Sequence, residues 1–90
     1  MKYTVIWKPS AEARLAQIWT EAHDQNAVAL AANALDRLLQ FDAESEGESR
    51  TGNIRITWVQ PLAIHFRVEQ EDCMVYVLKV WHTGEMHSGA

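Results

Sequence analysis

The chain has 90 residues, 48% of them hydrophobic and 22% charged, the composition of one ordinary globular domain with no room for a second core. Twelve acidic against eight basic side chains leave a net charge of -4, which argues against a general nucleic-acid binder and requires any anion binding to be local. The single cysteine, Cys73, excludes an internal disulfide and a Cys-based zinc site and suits a reducing cytoplasm, and no apolar run approaches the ~20 residues of a membrane span.

The opening MKYTVIWKP lacks the apolar core of a signal peptide and reads as a strand over residues 2–8, with Tyr3, Val5 and Trp7 on one face and Thr4 and Ile6 on the other. Pro9 ends it, and Ser10 is the expected N-cap of a first helix over residues 10–23, where Ala11, Leu15, Ile18, Trp19 and Ala22 recur at helical spacing. Asn26 is the expected cap of a second helix, whose stripe of Val28, Ala31, Ala32, Leu35, Leu38 and Leu39 ends near Phe41 or Asp42. The short break between the two predicts an antiparallel helical hairpin. Residues 42–52, DAESEGESRTG, are polar, glycine-bearing and aperiodic, hence a loop.

Residues 53–82 read as a three-strand meander, turned at Gln60-Pro61 and again over Glu69–Asp72. Strict alternation puts Ile54, Ile56, Trp58, Ile64, Phe66, Val68, Met74, Tyr76, Leu78 and Val80 on one apolar face. The opposite face receives Arg55, Thr57, His65, Arg67, Val75, Val77, Lys79 and Trp81. The helices cover the apolar face, with Trp19 expected to meet Trp58 in the core. The expected fold is therefore α+β and two-layered: a helical hairpin packed on a four-stranded, mostly antiparallel sheet in the order β-α-α-β-β-β. Residues 1–83 form the single domain and residues 84–90 a short flexible tail.

Three parts of the sequence, in this order, resemble the RelE/ParE superfamily of toxins from bacterial type II toxin–antitoxin modules. They are the strand with Trp7 followed by an alanine-bearing helix, the Gly47-Glu48-Ser49-Arg50 loop leading into an Arg-containing strand, and the run Pro61-Leu62…Phe66-Arg67-Val68…Val75-Tyr76-Val77…Val80…His82. The match covers residues 2–83. It implies a small cytoplasmic toxin neutralised by a cognate antitoxin. RelE-like members cleave mRNA on the ribosome, and ParE-like members inhibit DNA gyrase. This chain departs from the family in its acidic loop, in Phe41-Asp42-Ala43-Glu44 where a proline is common, and in a tail after His82 without Arg, Lys or Tyr. Those departures favour a ParE-like toxin acting by protein–protein contact, with growth inhibition as the outcome and no general DNA or membrane binding. The alternatives are a RelE-like endoribonuclease and a degenerate, non-toxic binding module.

RNA cleavage through the 2′-hydroxyl needs a base, an acid and cations for the charged phosphorane. Arg67, Arg55 and Lys79 could hold phosphate and His82 or His65 could move protons, and Arg67, Arg55 and His82 are the catalytic candidates should the chain be RelE-like. Arg50, His65, Lys79 and Trp81 are the candidates for target or antitoxin contact. Arg50 also has a simpler reading as an anchor for Glu46 or Glu48, and Arg55, His65 and Lys79 as members of a merely solvated face. His23 and His87 read as structural, no spacing suits a metal, and no cofactor is implied.

Overall fold

A computed structural model describes residues 2–43, 48–49 and 54–84. Strand β1 (Thr4–Trp7) leads into helices α1 (Pro9–Glu21) and α2 (Gln25–Asp42), followed by strands β2 (Glu48–Ser49), β3 (Ile54–Val59), β4 (Leu62–Glu69) and β5 (Met74–His82). The sheet order is β1-β5-β4-β3-β2; β1 lies parallel to β5, and the other pairs are antiparallel. The expected two-layer α+β architecture stands. A two-residue strand, β2, joins the four expected strands on the far edge, within the segment read from sequence as loop.

Both helix starts differ from expectation. Pro9 occupies the first position of α1 with Lys8 as N-cap and no side-chain cap. Proline suits that position because its missing N–H would have no helical partner there, so Ser10 falls inside the helix. At α2 the cap is Asp24, whose Oδ1 accepts from the Ala27 N–H at 3.0 Å. Asn26 lies within the first turn.

The core fills the space between the helices and one sheet face. Ala11 and Ile18 of α1 and Val28, Ala31, Leu35 and Leu39 of α2 meet Leu62, Ile64, Phe66 and Val68 of β4 and Val75, Val77 and Val80 of β5. Trp19 is 44% exposed and Trp58 is 51% exposed, on opposite sides of the molecule, so the expected Trp19–Trp58 core pair does not form. Thr83 locks the end of β5 to the β3–β4 turn: its N–H donates to the Pro61 carbonyl at 2.7 Å, and its hydroxyl lies 3.3 Å from Gln60 Oε1.

One irregularity decides which side chains face the helices. Along β4 and β5, His65 stands opposite Lys79 but the next residue, Phe66, stands opposite Val77, leaving Leu78 as an extra residue in β5. Such a bulge reverses the face of everything on one side of it relative to strict alternation. Val75 and Val77 are therefore fully buried against the helices, while Tyr76 stands opposite Arg67 on the open face. The expectation that Met74 and Tyr76 point inward and Val75 and Val77 outward is corrected accordingly. Deleting Leu78 leaves all these partners in register and restores plain alternation. The shortened chain is expected to keep its circular dichroism spectrum and lose on the order of 1–3 kcal/mol from the half-buried leucine, measured by urea unfolding. Deleting Val77 instead gives the same register, with Leu78 in its place opposite Phe66, and that chain is expected to fold as well.

Candidate site on the open sheet face

Direct cross-strand partners share a face, so the register gives the open face as a series of rungs. The first rung is Trp58–Ala63–Trp81, the second Ile56–His65–Lys79, and the third Ile54–Arg67–Tyr76 with Ile6 of β1 beyond it. His65, Arg67, Lys79 and Trp81 lie where the sequence placed them. Ile54, Ile56 and Trp58 do not: β3 is turned over relative to expectation, so its apolar residues line the open face and Arg55, Thr57 and Val59 face the helices.

The physical reason lies at the end of α2. Arg55, opposite Phe66, directs its Nη1 toward the Ala43 carbonyl at 3.4 Å, just past the last turn of the helix. A guanidinium there supplies a donor and a positive charge to carbonyls that have no helical partner. Thr57 is 5% exposed on the same side. Two polar residues thus sit where a strand facing the core usually carries apolar ones, and this misleads any reading by hydropathy alone.

Arg67 is at the centre of the third rung. Its guanidinium carbon lies 5.2 Å from the Tyr76 ring centroid, and Lys8 Nζ lies 5.8 Å from the same centroid. Arg67 Nε is 3.0 Å from Glu69 Oε1, yet the pair lacks hydrogen-bonding geometry. We read it as a half-exposed ionic contact contributing little to stability. Among the described residues, the two terminal nitrogens of Arg67, the Lys8 ammonium and the Lys79 ammonium meet no carboxylate. On the next rung, His65 packs edge-on against Trp81 with ring centroids 4.9 Å apart and planes at 77°.

The trio proposed from sequence for phosphate and proton transfer is not assembled. Arg67 is on the open face and Arg55 faces the helices. His82 stands opposite Leu62 on the helix side at the end of β5, where its Nδ1 accepts from the Gly84 N–H at 3.0 Å. A Cβ at residue 84 would lie 2.9 Å from that nitrogen, so any other residue there makes the His82 ring shift. Arg50 lies outside the described residues, as does His87. Sequence reasoning passed over Lys8, Tyr76, Ile56 and Trp58 as members of this face. Tyr76 was hidden by the bulge and the β3 pair by the inverted strand. Lys8 comes next after β1, immediately before the helix, where alternation gives no guidance.

The helices carry a second apolar surface. A cleft of about 520 Å³ between α1 and α2 is lined by Glu12, Leu15, Trp19, Val28, Ala29 and Ala32. Among the described residues no three His, Cys, Asp or Glu side chains cluster as a metal site, and no helix is long and apolar enough to cross a membrane.

This architecture, a helical hairpin over a mixed sheet, is the fold of the RelE and ParE toxins. The toxin–antitoxin complex RelBE2 from Mycobacterium tuberculosis contains a chain that superposes with a TM-score of 0.72 at 16% identity, over 91% of this chain and 92% of that one. The chromosomal ParDE system of P. aeruginosa gives 0.68 at 18% identity, over 90% and 96%. A mutant of the E. coli RelE toxin in its free state gives 0.64 at 12%, over 98% and 90%. No protein-family model matches the sequence, and no curated protein matches it. The likeness is therefore one of fold, held at low identity.

Proposed function

We propose that this chain is the toxin of a type II toxin–antitoxin module, acts in the cytoplasm, is neutralised by a cognate antitoxin, and inhibits growth in the ParE manner, by binding a protein of the DNA gyrase class. The toxin reading is supported by the fold shared with RelE- and ParE-type toxins over nine-tenths of the chain. The observation that carries the choice between the two types is the scattering of the nuclease trio: Arg55 serves a helix end, His82 is turned to the helix side, and only Arg67 reaches the open face. General acid–base cleavage needs its proton-transfer group within hydrogen-bond reach of the same phosphate its cations hold, and these three residues do not share a surface. The competing RelE-like reading rests on His65 and Lys79, which do share Arg67's face.

The test is induction of the chain in bacteria without an antitoxin, with two readouts from the same cells. The expected outcome is growth arrest with loss of negative supercoiling in a reporter plasmid and intact mRNA. Cleavage of mRNA in the ribosomal A site, abolished by Arg67→Ala, would establish the nuclease instead. Unchanged growth would remove both toxin readings and leave a binding module.

A further inference from the structure

We propose that the open sheet face is a docking groove for an extended acidic segment of the toxin's protein target, read by three consecutive rungs as one apolar side chain followed by two carboxylates. The groove runs along β4. At one end Ala63 is fully buried between strands that carry Trp58 and Trp81 on the same rung, Trp58 itself being half exposed. The half-exposed Trp58 indole offers a surface on which an aliphatic anchor packs, the kind of contact that dominates interface energetics. Two residues along, the rung of His65 presents the Lys79 ammonium. Two residues further, Arg67 and Lys8 converge on the Tyr76 ring, their charged ends pointing to no carboxylate among the described residues except Glu69 at Arg67 Nε. A guanidinium edge with two open donors fits a carboxylate, and the ammonium on the other side of the Tyr76 ring adds positive charge to the same end of the face.

The spacing fixes the shape of the occupant. Residues 63 and 67 are about 13 Å apart along a strand at its ordinary rise. That distance matches side chains at positions i, i+2 and i+4 of an extended segment, all pointing one way. The pattern is apolar-x-acidic-x-acidic. The face is cationic within a chain of net charge -4, which selects an anionic partner by complementarity and gives fast, salt-sensitive, reversible association. That chemistry suits a transient target. The proposal rests on the toxin reading only for the identity of the target; the docking chemistry is testable by itself.

The probe is a fluorescein-labelled peptide with the core Leu-Ser-Glu-Ser-Glu, titrated with the full chain and followed by anisotropy. Controls are the same peptide with lysines for glutamates and a single-stranded RNA of equal length. The expected result is binding of the acidic peptide alone, weakened at least about tenfold (1.4 kcal/mol) by Arg67→Glu, by Lys8→Glu and by Trp58→Ala, reduced by raised salt, and unmoved by Trp19→Ala in the helical cleft. Tighter binding of RNA than of the peptide, or equal binding of the lysine peptide, overturns the proposal. In cells, Arg67→Glu and Lys8→Glu are expected to abolish growth arrest while still co-purifying with the antitoxin. Loss of antitoxin binding with arrest retained would assign the face to the antitoxin and overturn its assignment to the target. Should the unaltered chain fail to arrest growth, the toxin reading falls, and the peptide titration still decides the groove.

Discussion

Val77→Asp is expected to leave the chain unfolded at room temperature, while Tyr76→Asp, one residue earlier, is expected to fold. Val77 has no exposure and stands opposite Phe66 in the middle of the core. A carboxylate there has no cationic partner within the apolar cluster, and burying it unpaired costs at least about 4–5 kcal/mol. A domain of this size has about 5–13 kcal/mol in total, so the substitution consumes most of it. Tyr76 lies on the open face between Lys8 and Arg67, and an aspartate in its place remains solvated with two cations at hand. The check is the circular dichroism and urea midpoint of each variant. A folded Val77→Asp together with an unfolded Tyr76→Asp would mean that β5 is in plain alternation and that the bulge at Leu78 does not exist.

Phe66→Ala follows in size. The ring is fully buried in the central part of β4, between Arg55 and Val77 on the neighbouring strands, and is the largest fully buried side chain among the described residues. Truncation removes its transfer free energy and leaves a cavity that the two layers close only in part, about 3–5 kcal/mol. In a domain of 60–100 residues that lowers the melting temperature by roughly 12–40 °C. Thermal unfolding followed by far-ultraviolet circular dichroism measures it. A drop of only a few degrees would show that the layers are loosely packed at this point.

The elements were legible because their periods were clean. Val28, Ala31, Leu35 and Leu39 of α2 are all buried, as their spacing required, and Ile64, Phe66 and Val68 of β4 face the helices as alternation predicts. Two local events broke the code. Leu78 adds one residue to β5, and a one-residue shift sends every side chain beyond it to the other face. In β3, large apolar residues face outward while Arg55 and Thr57 face inward, where the guanidinium meets the Ala43 carbonyl at the end of α2. Hydropathy assigns such a strand to the wrong side, since it cannot see a partner 12 positions earlier in the chain. The candidate site was therefore half legible. His65, Arg67, Lys79 and Trp81 were found from the central strand and the end of β5, whereas Lys8, Tyr76 and Trp58 emerge only from the register between strands.

The parallel pairing of β1 with β5 has a consequence in time. Thr4 finds its partner in Met74, and Trp7 finds its partner in Val77, so the first strand synthesised waits for the last. Contacts this distant in sequence form late and slow the folding of a small domain. Until β5 leaves the ribosome, neither the Tyr76 cradle nor the Trp58–Ala63–Trp81 rung can exist, because each draws one wall from β5. A nascent chain cut short before residue 74 carries the sequence of both helices but only one of the two walls of each feature, so the face is complete only when synthesis of the sheet is finished.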